Sequence, residues 1–147
     1  MGLQGTIIRL TRYSAKGIPG ETLENARLVS GLGMEGDFYA RGGDRQLSLL
    51  ALEDRQQIDT LTEPGLCSKR FKENILFDGP AALNPGIRLA AGNALLEISD
   101  TGKHCFPECP LFSGGQDCVL AGRKFFAKVI RSGLIKTGDI IRRDHEQ

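Results

Sequence analysis

The sequence predicts an all-β protein, a closed or nearly closed barrel with one or a few short helices. Nineteen glycines in 147 residues indicate many tight turns. Short apolar segments recur along the chain between these turns, and they do not alternate with helical segments as the strands of a parallel α/β protein would. Short strands at regular spacing are typical of β-barrels.

The predicted strands are short, apolar and bounded by glycine or proline. Two loops separate the first three predicted strands: one spans residues 13–20, and the other is the glycine-rich segment 31–37. The turn at Ala91-Gly92-Asn93 predicts a hairpin between its two flanking strands. The predicted strands comprise residues 3–10, 26–29, 46–50, 74–77, 87–90, 94–98, 125–130 and 140–141.

One segment, residues 52–61, has the features of a helix. Glu53 and Asp54 place negative charge in its first turn, and Pro64-Gly65 would end it. The rest of the chain offers no comparable helical segment, which keeps the predicted class all-β.

Charge and hydropathy exclude several functional classes. The 19 Lys and Arg residues nearly balance 18 Asp and Glu residues, so no overall field attracts nucleic acid or an anionic membrane. No apolar run reaches the roughly 18 residues of a membrane span, and the N-terminus lacks a signal peptide. We therefore expect a single cytoplasmic domain over residues 1–147, without nucleic-acid or membrane partners.

The strongest chemical signal is a cluster of cysteines, Cys105, Cys109 and Cys118. In a reducing compartment such a cluster is more often catalytic or metal-binding than structural. Lys103 and His104 precede Cys105, and neighbouring positive charge favours the thiolate, which is the nucleophilic form of cysteine. Nearby thiols also allow a persulfide on one cysteine to be resolved by another.

Two alternatives compete with a reactive thiol. Cysteine is often a small buried hydrophobic residue, which is the favoured interpretation for Cys67 and an even choice for Cys118. Alternatively, His104, Cys105, Cys109 and Cys118 supply enough ligands for tetrahedral zinc. Adjacent His104 and Cys105 rarely face one ion, however, and the CxxxC spacing departs from the usual CxxC pairs, so no metal site is predicted.

The glycine-rich segment would bend the backbone so that Asp37, Arg41 and Arg45 project into one pocket. Arginine suits a bidentate grip on phosphate or carboxylate. A solvated turn with surface ion pairs is the alternative. Glu73-Asn74 could likewise orient a ligand or cap a strand.

The order of several motifs resembles the MOSC family, the C-terminal domain type of molybdenum cofactor sulfurase, and the end of the chain is similar to small stand-alone bacterial members. The motifs are Gly33-Met34-Glu35-Gly36-Asp37, Arg45-Gln46, Phe71-Lys72-Glu73-Asn74, Pro85-Gly86, Leu95-Leu96-Glu97-Ile98, Phe126-Ala127-Lys128-Val129 and Gly133-Leu134-Ile135-Lys136-Thr137-Gly138-Asp139.

The resemblance implies a MOSC-type β-barrel and an essential cysteine that carries sulfur or contacts molybdopterin. Cys105 best matches that cysteine, and His104 stands where many members have proline. The expected cofactor is the molybdenum cofactor; pyridoxal phosphate enters by family association only. Gly36, Asp37, Arg45, Gln46, Glu73 and Asn74 match positions expected to line the cleft, and Arg41 and His104 are added as candidates.

The implied function is sulfur transfer on or around the molybdenum cofactor, with a cysteine desulfurase or a molybdoenzyme as the protein partner. A non-catalytic module that binds or delivers the cofactor, or a structural zinc domain, is the alternative. Catalysis needs a reactive thiolate, whereas a binding module needs only the cleft.

Overall fold

A computed structural model describes residues 4–15, 18–38, 40–43, 45–59, 73–79, 84–100 and 125–143. The elements are β1 (Gln4–Arg12), β2 (Glu21–Leu23), β3 (Asn25–Val29), β4 (Gly33–Met34), β5 (Leu47–Ala51), α1 (Leu52–Asp59), β6 (Ile75–Asp78), β7 (Arg88–Ala91), β8 (Ala94–Asp100), β9 (Phe125–Arg131), β10 (Gly133–Lys136) and β11 (Ile140–Arg143).

Within these ranges, seven strands close into a barrel. The strand order is β11-β7-β8-β9-β5-β6-β1, and β1 also pairs with β11, which completes the circuit. β2 continues the sheet beyond β1, opposite its last residues. The predicted all-β class is therefore confirmed.

Alternating side chains fill the barrel. Along β9, Phe125, Ala127 and Val129 are buried while the residues between them are partly exposed, as a half-buried strand requires. β5 is buried at every position, and α1 packs against it and against β6. All five residues of β5 are therefore interior, which fits a sequence that is apolar except for Ser48.

β5 and β6 are parallel, and α1 lies in the connection between them. The sequence does not predict this strand–helix–strand unit. The helix itself was predicted from charge and turn signals, but its sequence, LEDRQQID, is mostly polar and carries no apolar stripe that would announce packing on a sheet.

Three further strands form a second sheet of order β10-β3-β4, which the chain enters at β3, directly after β2. β2, β4 and β10 are absent from the predicted strands. β2 and β4 are very short. β10 has four residues, and its Leu134 is exposed, so it lacks the apolar pattern of a core strand.

An irregularity in β1 sets the position of the polar residues discussed below. The register against β6 shifts between Ile7 and Arg9, so that Arg9 opposes Leu76 and Leu10 opposes Ile75. Ile8 and Arg9 are both exposed, as expected of a β-bulge. The shift brings the end of β1 level with the residues that precede β6.

Among the described residues, no helix is long and apolar enough to cross a membrane.

Candidate functional site

The predicted sulfur chemistry falls in a segment that the structure does not describe. Cys105, Cys109, Cys118 and His104 lie outside the described residues, as does Cys67. The roles assigned to them therefore stay predictions. Within the described ranges, no group of three or more His, Cys, Asp and Glu residues could hold a metal ion.

The attachment points of that segment are described, and they meet at one row of the barrel. Residues 101–124 join Asp100 to Phe125. Asp100 opposes Phe126 across β8 and β9, and Phe126 opposes Ser48 of β5. The described residues that flank the cysteine segment, Asp100 and Phe125, thus lie next to Phe126.

Two exposed arginines are held by aromatic rings. The Cζ atom of Arg45 lies 4.2 Å from the centre of the Phe126 ring. That of Arg41 lies 4.1 Å from the centre of the Phe38 ring, and its Nε donates to the Phe38 carbonyl at 3.0 Å. A guanidinium over an aromatic face is attracted by the ring quadrupole. The rings therefore restrict both cations without burying them.

Asp37 is buried, with 7% of its surface exposed. Its Oδ1 accepts hydrogen bonds from the backbone N–H of Tyr13 at 2.8 Å and from Nδ2 of Asn74 at 3.2 Å. The carboxylate thus joins the chain after β1, the glycine-rich loop and the residue before β6. Its contacts tie strands together within the protein.

The glycine motif before Asp37 is explained by backbone geometry. Gly33 has a φ of 134°, and a Cβ atom there would lie 2.3 Å from the carbonyl oxygen of Gln46. Gly36 has a φ of 82°, in the left-handed region. Glycine is needed at both positions so that the loop can approach Gln46 and then turn Asp37 inward.

Asn74 makes several hydrogen bonds through its buried side-chain amide. Its Oδ1 accepts from the backbone N–H and from Oγ of Ser48, both at 3.1 Å. Its Nδ2 donates to the Thr11 carbonyl at 3.1 Å as well as to Asp37. It is 2% exposed. Asn74 therefore supplies side-chain hydrogen bonds where the β5, β6 and β1 ladders begin or end.

The Glu73 carboxylate forms ion pairs with two arginines, Arg9 and Arg55. Arg55 Nη2 is 2.5 Å from its Oε1, Arg55 Nε is 3.2 Å from its Oε2, and Arg9 Nη2 is 3.3 Å from the same Oε2. The Glu73 side chain is 4% exposed, that of Arg55 18% and that of Arg9 45%. Paired, hydrogen-bonded charges are the form in which a buried carboxylate is tolerated.

Tyr13 completes this cluster. Its hydroxyl donates to the Glu73 carbonyl at 3.2 Å. Burial, and next the negative charge of Glu73, raise the pKa of Tyr13 to about 12. The phenol is therefore a neutral hydrogen-bond donor near neutral pH.

Gln46 fixes the other end of the arginine-bearing loop. Its Nε2 donates to the Gly43 carbonyl at 2.9 Å, and its Oε1 accepts from the Val129 N–H at 2.9 Å. The amide thereby ties the loop to β9. Arg45, the residue before it, is held beside Phe126 as a result.

The predicted residues thus fall into two groups. Asp37, Gln46, Glu73 and Asn74 are buried and bonded to other parts of the protein, which favours the structural alternative for Glu73-Asn74. Arg41 and Arg45 are exposed.

Sequence reasoning missed Arg9, Tyr13, Ser48 and Arg55, which partner the buried group. Arg9 gave one signal, because it is the only charged residue in the predicted strand 3–10. The partners of the others depend on register between distant strands, which no local pattern reports.

The fold is shared with solved structures of low sequence identity. YuaD from Bacillus subtilis is 17% identical with a TM-score of 0.71, covering 100% of this chain and 99% of its own. YiiM from Escherichia coli is 17% identical with a TM-score of 0.60, covering 100% of this chain and 71% of its own. YiiM from Geobacillus stearothermophilus is 15% identical with a TM-score of 0.65, covering 96% and 75%.

No protein-family model matches the chain, and no curated protein sequence matches it either. At these identities the likeness to YuaD and YiiM establishes a common fold.

Proposed function

We propose that this chain is a MOSC-type domain that binds an anionic, molybdopterin-type cofactor at Arg41 and Arg45 and carries sulfur on Cys105. The fold shared with YuaD and YiiM supports the MOSC type. The observation that carries the proposal is the position of Arg45 over Phe126, where the cysteine segment joins the barrel.

Arg45 connects the proposed cofactor binding with the proposed sulfur step, because the Phe126 ring beneath it lies next to the described residues that flank the cysteine segment. Phe126 is adjacent to Phe125, the first described residue after the cysteine segment, and it pairs with Asp100, the last one before. The chain from Asp100 to Cys105 spans at most about 17 Å even when fully extended. This limit is compatible with a Cys105 thiolate that comes close to Arg45, as the proposal requires.

The two arginines fit an anionic cofactor by their chemistry. A guanidinium presents parallel N–H donors that match phosphate or carboxylate oxygens, and a ring-held guanidinium loses less conformational entropy on binding. When bound, the cofactor would supply the molybdenum centre that holds or accepts sulfur. The chain's own residues would bind and orient it through Arg41 and Arg45. Pyridoxal phosphate stays an expectation of the family association and has no place in this proposal.

The buried residues have a supporting role in this proposal. Asp37 and Gln46 hold the two ends of the loop that carries the arginines, through Tyr13 and Asn74 on one side and Val129 on the other. A ligand-binding pair on a loop needs such anchoring to keep its geometry.

The sulfur step uses a sulfane sulfur donor such as a desulfurase persulfide. The Cys105 thiolate attacks the terminal sulfur of the donor, and the S–S bond of the donor breaks to release its thiolate. Cys105 then carries the persulfide. Cys109 would resolve it by attacking Sγ of Cys105, which forms a disulfide and releases hydrosulfide.

Mass spectrometry after incubation with a desulfurase-type sulfur donor tests the sulfur step. We expect a gain of one sulfur atom on the peptide that contains Cys105, lost in Cys105→Ser and prolonged in Cys109→Ser. Cys67→Ser is the control and should retain the adduct. An adduct that persists in Cys105→Ser would contradict the sulfur step, and so would the absence of an adduct in the parent. If the parent forms no adduct but still binds the cofactor, the function is that of a non-catalytic delivery module.

Calorimetry with molybdopterin tests the binding part. Arg45→Ala should weaken binding by about 2 kcal/mol, because the anion loses a charge-assisted hydrogen-bonding partner. Arg142→Ala, at an exposed arginine of β11, is the matched control and should leave the affinity unchanged. Equal affinities in the parent and Arg45→Ala would disprove the assigned site.

A further inference from the structure

A separate groove lies where the barrel and the small sheet diverge. β2 ends at Leu23 in the barrel sheet and β3 begins at Asn25 in the small sheet, so Glu24 is the crossing point. The Thr137 N–H donates to the Glu24 carbonyl at 2.9 Å and fastens β10 across this seam. The groove between β1 and β10 has a volume of about 540 Å³, in the range of small-molecule sites.

The β1 bulge forms one wall of this groove. In a regular strand Ile8 and Arg9 would point to opposite faces, but here both are exposed and both line the groove. Ile8 is 38% exposed, and the half-buried Leu23 of β2 lines the same groove. The bulge therefore combines an apolar surface with a cation in one place.

The two cations of the groove come from opposite walls. Arg9 belongs to β1 and Lys136 to β10. Arg9 is oriented from behind, because one guanidinium nitrogen donates to the buried Glu73 carboxylate. Lys136 lies opposite Asn25 in the register of β10 and β3, and Asn25 also lines the groove.

The remaining lining residues narrow the chemistry of the ligand. Thr22, Asn25 and Thr137 provide neutral hydrogen-bonding groups, and Glu24 is the acid among the lining residues. Two cations against one acid suit a singly charged anion better than a doubly charged phosphate.

We propose that the groove between β1 and β10 binds a small carboxylate with an apolar body, its carboxylate between Arg9 and Lys136 and its apolar part on Ile8 and Leu23. This site is distinct from the arginines of the glycine-rich loop, and it holds a different class of anion. Its existence does not depend on the sulfur chemistry.

Benzoate is the probe, and nuclear magnetic resonance of the isotope-labelled protein is the measurement. We expect saturable shifts of the backbone amides of Thr22–Asn25 and Lys136–Thr137 with a Kd on the order of 1 mM. Acetate, which lacks the ring, and benzyl alcohol, which lacks the charge, should each bind at least about fivefold more weakly.

Lys136→Met is the variant that tests the site, because Lys136 is exposed and its loss leaves the Arg9–Glu73 pair in place. It should weaken benzoate binding about fivefold. Arg142→Gln is the matched control and should not change the affinity. Glu24→Gln should strengthen binding by removing the like charge.

The proposal is overturned if benzoate gives no saturable shifts, or if Lys136→Met binds it as tightly as the parent. Shifts centred on residues 41–46 and Phe126 would also overturn it, since the anion would then occupy the loop arginines. That last result would leave the proposed cofactor site standing, so the two proposals fail separately.

Discussion

The surroundings of Asn74 and of Arg45 differ, although the resemblance to the MOSC family implied that both residues line a cleft. Asn74 lies inside the molecule, and its side chain bonds to Ser48, Thr11 and Asp37. Arg45 lies at the surface with its guanidinium over the Phe126 ring. One residue secures the strands, and the other presents a cation to solvent.

Burial separates two kinds of residue among those the sequence singled out: buried residues that hold the strands together, and exposed residues that can contact a ligand. A buried amide or carboxylate must have its hydrogen bonds met within the protein. An exposed arginine over an aromatic ring can keep part of its guanidinium in contact with water. Substitutions should therefore affect stability in the first group and binding in the second.

The largest effect on stability is expected for Asn74→Ala. The change would leave the Ser48 N–H and the Thr11 carbonyl without their side-chain partner, and Asp37 without one of its donors. We expect a loss of about 4 kcal/mol in the free energy of unfolding, measured by urea denaturation. Asn25→Ala, at an exposed position of β3, is the control and should cost less than about 0.5 kcal/mol. Similar losses in the two variants would show that Asn74 is not a support.

Glu73→Gln comes next. Glutamine keeps the shape but removes the charge that pairs with Arg9 and Arg55, so we expect a loss of about 2 kcal/mol. The comparison is Glu97→Gln, whose partly exposed carboxylate pairs with Arg88 at 3.1 Å and should contribute less than about 1 kcal/mol. Thermal or urea unfolding at two ionic strengths measures the stability loss of both variants. A larger loss for Glu97→Gln would show that the buried Glu73 pairs are not the stronger contribution.

Tyr13→Phe is expected to cost about 1 kcal/mol at neutral pH, because the hydrogen bond to the Glu73 carbonyl is lost. The pKa of Tyr13 is raised from 10.0 to about 12, so the fold favours the neutral phenol. This contribution is present below pH 10 and is lost as the pH rises from about 10 to 12.

The check on Tyr13 is the difference in unfolding free energy between parent and Tyr13→Phe at pH 9 and at pH 11.5. We expect the gap to shrink at the higher pH. A constant gap would mean that the phenol titrates normally in the folded protein.

The smallest effect on stability is expected for Arg41→Gln. Its side chain is exposed, and its contacts with Phe38 should contribute no more than about 0.5 kcal/mol. Denaturation that matches the parent, with weakened molybdopterin binding, would place Arg41 with Arg45 as a contact. A loss comparable to that of Asn74→Ala would instead move it to the supports.

Local patterns in the sequence predicted much of the barrel. The alternation in β9 and the apolar run of β5 are local signals, and the predicted hairpin matches β7 and β8. β2 and β10 were missed because short, partly exposed strands carry little periodicity. The parallel pairing of β5 and β6 was missed because α1 lacks an apolar stripe.

The site was predicted less completely, since it depends on contacts distant in sequence. The glycine motif pointed to Asp37, but its partners Tyr13 and Asn74 are set by the bulge in β1, which shifts the register after Ile7. No local pattern marks that shift. Residue type alone also does not tell whether Glu73 meets a ligand or Arg9 and Arg55.

We propose that Arg45 and Cys105 belong to one site, and the alkylation rate of Cys105 provides the test. The rate with iodoacetamide is measured across pH in the parent, Arg45→Gln and the control Arg142→Gln, with each thiol followed by mass spectrometry. Near pH 7 we expect Cys105 to react faster than the other thiols. Arg45→Gln should slow the reaction of Cys105 severalfold at pH 7 but not at pH 10, because the loss of a nearby cation raises the pKa of the thiol. A Cys105 that reacts no faster than Cys67, or at the same rate in the parent and Arg45→Gln, would contradict the claim.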